Sequence, residues 1–212
     1  MMKIQFKNVC PHVFEDFSPI SDVWNKDFTF EHGMRYQLRG TSGKGKTSLL
    51  FYLLGYRRDY NGAVYINDKP LFELTNKEWV ELRREKISSV FQDLQLAEKL
   101  TVADNISLIP KFADGYDLSE GQKMLDVMGM KEKWDEKVEN LSFGQKQRVA
   151  IARALCKPFE LLICDEPFSH LDAMHKEKCI ELIDYRVNEA KAGIVLTSLD
   201  GEEKLSLKSI HL

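Results

Sequence analysis

The stretch "LRGTSGKGKTSLL", residues 38–50, decides the fold. It leaves the alternating run "MRYQLRG", turns on glycines and continues into apolar residues. Within it Gly40, Thr41, Ser42, Gly43, Lys44, Gly45, Lys46 and Thr47 fill every required position of the phosphate-loop pattern G-x-x-x-x-G-K-[ST], and Ser48 follows directly. The glycines let successive backbone N–H groups turn inward and line an anion nest. A helix starting near Lys46 directs its positive end at the bound phosphates. Lys46 reaches the β- and γ-phosphates, and the Thr47 hydroxyl is placed to bind Mg²⁺. Taken alone, the loop specifies a nucleoside triphosphate and nothing narrower.

Outward from the loop, "KIQFKNV" and "DFTFE" alternate apolar and polar residues, as half-buried strands do. A helical run is expected from Thr47 to about Tyr56, then a hairpin in "DYNGAVYIND" pivoting on Asn61-Gly62. "TNKEWVELRRE" reads as a helix capped by Thr75 or Asn76, followed by the short strand "ISSVF". Residues 101–140 read as mostly helical, with Thr101 and Asp104 at capping-box spacing and a stop near Gly129. Strands return at "ELLIC" and "GIVLTS", separated by a helix over roughly 173–190. Strand–helix alternation interrupted by a helical block implies an α/β core with an inserted helical lobe.

At 212 residues the chain suits one such domain. Its net charge of −3 gives no reason to expect nucleic acid or an anionic membrane as a direct ligand. No apolar run is long enough to span a bilayer, and "MMKIQFKNVC" lacks a signal peptide's apolar core. Cys10, Cys156, Cys164 and Cys179 have neither metal-ligand nor disulfide-framework spacing, which fits a reducing, cytoplasmic setting.

"ELLICDEP" places apolar residues before Asp165-Glu166, as a buried strand of a covered parallel sheet would. Its carboxyl end would then lie beside the phosphate loop, where open α/β sheets bind ligands. Asp165 can hold Mg²⁺ through water, and Glu166 can orient or deprotonate the attacking water. In "LSFGQKQRVAIARAL", residues 141–155, Ser142 caps a helix and Gln145 completes a capping box, while Gly144 allows a close backbone approach. One γ-phosphate has little room for two helix N-termini from one domain. The second tip therefore points to a nucleotide on another copy.

"LSFGQ" resembles the LSGGQ signature of ABC-type ATPases, and nearly the whole chain follows that family's order. The phosphate loop resembles its Walker A motif and "LLICDE" its Walker B motif, with Glu166 in the catalytic-base position. Gln92 in "SSVFQDLQL" resembles the Q-loop glutamine that contacts Mg²⁺, and "SHLD", residues 169–172, resembles the D-loop. The resemblance implies an α/β fold, a P-loop NTPase (RecA-like) core with an N-terminal antiparallel β subdomain and an inserted α-helical subdomain over about 93–157. It further implies ATP and Mg²⁺ as cofactors. Each ATP would sit between one subunit's Walker A and the signature (Ser142, Phe143, Gly144, Gln145) of a second copy or a related ATPase subunit. Transmembrane permease subunits would be the other partners, with the chain peripheral on the inner face of the cell membrane. The compact length is most similar to the small lipoprotein-release, macrolide-efflux and cell-division group.

Three departures stand out. Phe143 replaces a glycine at a permissive signature position. Ser198, in "GIVLTSLD", stands where the family has a histidine that steadies the attacking water. A hydroxyl donates one hydrogen bond but cannot become cationic near neutral pH, so slow hydrolysis is expected. His170 and His175 lie nearby in sequence as poor substitutes. The aromatic that stacks on adenine is open among Phe14, Phe17 and Trp24, with Phe14 or Phe17 favoured. Leu94, Leu96 and Leu100 would either form a docking site for a membrane partner or pack the lobe internally. Two functions follow: an ATPase subunit powering transport, or a slow, nucleotide-gated assembly module.

Overall fold

The computed structural model describes residues 2–15, 20–108, 118–198 and 203–212. In chain order these form β1 (Ile4–Pro11), β2 (Phe28–Phe30), β3 (Arg35–Arg39), α1 (Lys46–Leu53), β4 (Tyr60–Ile66), β5 (Lys69–Pro70) and α2 (Asn76–Glu81). Then follow β6 (Ile87–Val90), α3 (Val102–Ser107), α4 (Leu118–Val127), α5 (Phe143–Leu155), β7 (Leu161–Asp165), α6 (Ala173–Glu189), β8 (Gly193–Thr197) and β9 (Lys208–His211). An antiparallel sheet has the order β2-β1-β4-β5, and a parallel sheet the order β6-β7-β8-β3-β9.

Every residue of β7 and of β8 is buried, as a sheet covered on both faces requires. Their side chains alternate between two cores. Leu161 and Ile163 join Phe6, Trp24, Leu49 and Tyr52 beneath α1 and the antiparallel sheet. Leu162 and Cys164 face Ile106, Leu125, Val149 and Ile183 of the helices α3 to α6. The sheet order sets the site. β8 lies between β3, which feeds the phosphate loop, and β7, which ends in Asp165, so Thr197 pairs in register with both Leu38 and Asp165.

Two capping boxes form where the spacing placed them, Thr101 with Asp104 and Ser142 with Gln145, and of the two candidates Thr75 caps α2, adding a third box with Glu78. The stop near Gly129 also forms, with φ +73 there. Two boundaries differ. α1 ends at Leu53, not Tyr56, and Gly55 turns the chain out at φ +67.

The expected hairpin pivot is also displaced. β4 runs straight through Asn61 and Gly62, and the turn to β5 falls at Asn67-Asp68, with φ +48 and +65. Asn-Gly is the stronger turn dipeptide in isolation, but a bulge in β1 between Lys7 and Cys10 claims Gly62 for another purpose. A Cβ on Gly62 would lie 2.3 Å from the Asn8 carbonyl oxygen, and its φ of +87 excludes most side chains. Gly62→Ala is therefore expected to destabilise the chain by about 2 kcal/mol or more. Urea titration checks this as a lower midpoint at unchanged slope.

Candidate functional site

At the carboxyl ends of β3 and β7 a cleft of about 500 Å³ is lined by Val13, Phe14, Ser42, Gly43, Gly45, Lys46, Thr47, Ser48, Arg57, Gln92, Asp165 and Glu166. The loop turns at Gly43 (φ +82) and Gly45 (φ +88), and the Gly45 turn opens α1. Gly40, Thr41 and Lys44 belong to the same loop but are not among the residues that line the cleft. Lys46 Nζ donates back to the carbonyls of Gly40 (2.7 Å) and Thr41 (3.3 Å). The Lys44 carbonyl accepts from Trp24 Nε1 at 3.2 Å. The cationic lysine is thus parked on the loop's own oxygens, beside a nest of amides suited to an anion.

Asp165 is buried, and its two oxygens accept from Thr47 Oγ1 (3.2 Å) and Thr197 Oγ1 (2.7 Å). The same Thr197 hydroxyl accepts the backbone N–H of Glu166 at 2.8 Å. Glu166 adopts φ +47, an uncommon conformation for a side chain of its size, and lines the cleft. Ser198 follows Thr197 directly and is half-buried, outside the residues that line the cleft. His175 is committed to Asp172 (2.7 Å) and His170 to Ser169 (2.9 Å), so neither takes the place of the family's histidine.

Among the aromatic candidates, Phe17 lies outside the described residues. Trp24 is buried beneath the loop, and Phe14 lines the cleft but is only 5% exposed, its ring 6.4 Å from Trp24. The short 3₁₀ turn His12–Phe14 instead presents Val13, 71% exposed, at that wall. Leu94 is buried and Leu96 packs against the helical core, leaving Leu100 exposed.

The signature residues sit elsewhere. Ser142, Phe143, Gly144 and Gln145 do not line the chain's own cleft, and Ser142 and Phe143 are exposed at the tip of α5. That tip is fastened to the residues after β7. A Cβ on Gly144 would meet the His170 carbonyl oxygen at 2.6 Å, and the Phe143 ring lies 4.3 Å from that of His170, tilted by 56°. Beneath them the buried Gln147 donates to the carbonyl of Glu166 (3.1 Å) and to Ser169 Oγ (3.3 Å), and accepts from His170 N (3.2 Å). Sequence reasoning missed Thr197, Gln147 and Arg57. Thr197, a hydroxyl ending an otherwise apolar strand, was the readable one.

Residues 23–169 match the family model described as ABC transporter. The chain belongs to the ABC transporter family. It is an ATP-binding cassette, and its relatives range from single cassettes to fusions. It is 36% identical over 185 residues to the methionine import ATP-binding protein MetN of Clostridioides difficile, covering 85% of this chain and 56% of MetN. It is 34% identical over 201 residues to the macrolide export ATP-binding/permease protein MacB of Campylobacter jejuni, covering 93% of this chain and 30% of MacB. It is 30% identical over 205 residues to the lipoprotein-releasing system ATP-binding protein LolD of Bacteroides fragilis, covering 94% of each. The chain thus spans about half of MetN, under a third of MacB and nearly all of LolD. The ATP-binding cassette MJ0796, solved as a dimer in a post-hydrolysis state bound to ADP and Pi, superposes with a TM-score of 0.82. That match is 26% identical and covers 99% of this chain and 94% of the other.

Gln147 holds the peptide that aims Glu166, so its loss should affect turnover more than binding. For Gln147→Leu, phosphate release is expected to fall about 10- to 100-fold with ADP affinity within about twofold. Gln147→Glu keeps the acceptor for His170 N but turns a second acceptor on the Glu166 carbonyl, so it should be impaired at least as much. Parallel calorimetry and phosphate-release assays read out the split.

Proposed function

We propose that this chain hydrolyses ATP to power a membrane transport complex, closing as a head-to-tail pair and passing that motion to separate transmembrane permease subunits. The observation that carries the reading is the convergence of Lys46, Thr47, Gln92, Asp165 and Glu166 on one cleft. Residues Gly40, Thr41, Ser42, Gly43, Lys44, Gly45, Lys46, Thr47 and Ser48 would cradle the phosphates, mainly through backbone N–H groups. Glu166, aimed by its strained backbone, would orient and deprotonate the attacking water.

The site fits Mg²⁺. A buried carboxylate met by neutral hydroxyls is costly without a cation, and Thr47, Asp165 and Gln92 offer the hard oxygen donors that Mg²⁺ prefers. Bound there, the ion would neutralise phosphate charge as the terminal phosphoryl group leaves.

Pairing is supported by the exposed Ser142 and Phe143, which lie outside their own cleft on a helix tip suited to an anion. The description of MJ0796 as dimeric points the same way. We assign residues of about 93–157 to a helical subdomain, with the permease contact where it meets the core. A second cleft of about 280 Å³, lined by Tyr56, Phe91, Gln95, Arg83, Arg153 and Lys157 among others, adjoins Gln92 in sequence and would receive the permease. Burial there pushes the Lys157 ammonium down to about 8. No helix among the described residues is long and apolar enough to cross a membrane. The proposed location is the cytoplasmic face of the cell membrane, with the permease as anchor. MacB, named as both ATP-binding and permease protein, carries the two parts in one chain.

The alternative of an assembly module that hardly hydrolyses rests on Ser198, which bears on rate and not on class. Steady phosphate release from ATP and Mg²⁺ by the purified chain, reduced at least about 100-fold in Glu166→Gln, is the expected result. Equal release by both proteins would overturn the enzyme reading. Ser198→His should raise turnover by about 10-fold or more once dimers close, because it restores a donor of the kind whose removal typically costs 10²–10³. A rate at or below wild type would remove Ser198 from the catalytic group.

A further inference from the structure

Arg57, in the loop that leaves α1, lines the same cleft as the phosphate loop. Its Nη1 donates to Ser48 Oγ at 3.1 Å and its Nε to Asp59 Oδ1 at 2.9 Å, while Nη2 pairs with Asp59 Oδ2. Arg57 lines the cleft and Asp59 does not, so the carboxylate fixes the guanidinium from outside. Tyr52 supports both, its hydroxyl donating to the Asp59 carbonyl at 3.1 Å and its ring 5.9 Å from Arg57 Cζ.

Two features argue that this is more than a loop staple. The pair is about two-fifths exposed on both sides, and exposed ion pairs contribute little to stability. Three of the five guanidinium N–H groups are engaged by Ser48 and Asp59, which leaves two donors among the described residues. They belong to a planar fork suited to phosphate oxygens. Ser48 is the third residue of α1, in the turn whose N–H groups form the anion nest. The hydrogen bonds of Arg57 go to Ser48 and Asp59, whereas Thr47 faces Asp165 at the hydrolytic end.

We propose that Arg57 is a further nucleotide ligand, donating to the phosphate chain at the Ser48 end of the cleft, away from Asp165 and Glu166. The proposal rests on the cleft being the ATP site. Arg57 holds the Asp59 carboxyl below its ordinary value, so the pair stays ionised and the fork stays oriented across the physiological range. Because the contact lies away from the hydrolytic end, ATP and ADP should lose affinity equally on its removal, and adenosine should not. With Val13 rather than an aromatic ring exposed at the neighbouring wall, this grip would matter more than in a site with a full stacking platform.

The test is calorimetric titration of wild type, Arg57→Gln and Arg57→Lys with ADP, ATP in the Glu166→Gln background, and adenosine, beside thermal melting of each apo protein. The expected result is about 10-fold weaker ADP and ATP binding in Arg57→Gln, with unchanged adenosine binding and apo melting temperature. Arg57→Lys, which keeps charge but loses the fork, should fall between. Equal ADP affinity in wild type and Arg57→Gln would overturn the inference while leaving the cleft's assignment intact. A lower melting temperature with all three ligands weakened alike would make Arg57 a loop staple and also overturn it. Absence of ADP binding by wild type would overturn the cleft's assignment, and the inference with it.

Discussion

A buried carboxylate sets the terms for the rest of this molecule. Asp165 is 5% exposed and is met by the hydroxyls of Thr47 and Thr197. Placing an anion there is tolerable only where cationic or strongly polarising partners can reach it. The parallel sheet arranges that reach. With β8 between β3 and β7, the Thr197 hydroxyl bonds both Asp165 and the N–H of Glu166, while α1 delivers Thr47 from the far side. The constraint thus fixes three elements and the strained turn at Glu166 together.

What the sequence made legible was local. The phosphate loop and the capping boxes of Thr101 and Ser142 are written in spacings of a few residues, and each formed at its place. The buried strands were readable because a covered parallel sheet leaves continuous apolar runs. The hairpin pivot was not, since two turn-prone pairs lie within eight residues. The choice between Asn61-Gly62 and Asn67-Asp68 was made by a distant strand, β1, whose bulge needs a residue without a side chain opposite Asn8. Phe14 shows the same limit on a smaller scale. In a single 3₁₀ turn, neighbours Val13 and Phe14 face opposite ways, and only tertiary packing against Trp24 settles which one is buried.

The site residues that escaped the sequence share a property. Gln147, Thr197 and Arg57 act on groups 19, 32 and 9 residues away. No short pattern contains both ends of such a contact. Thr197 came nearest to being readable, as a polar residue closing a strand beside the one that ends in Asp165.

The same long-range bonds change how the tip of α5 should be understood. Through Gln147, Gly144 and Phe143 the helix is tied to Glu166, Ser169 and His170 of its own chain. Gly144 has no side chain because the His170 carbonyl already occupies that space. Phe143, in turn, places an aromatic surface over His170 where a glycine would leave a gap. A helix tip held this way cannot tilt without straining the turn that carries Glu166. If Ser142 of one copy grips the nucleotide of another, that grip is felt at its own Glu166 through a few hydrogen bonds. The substitution at the signature's third position then adds a contact within the chain, between Phe143 and His170.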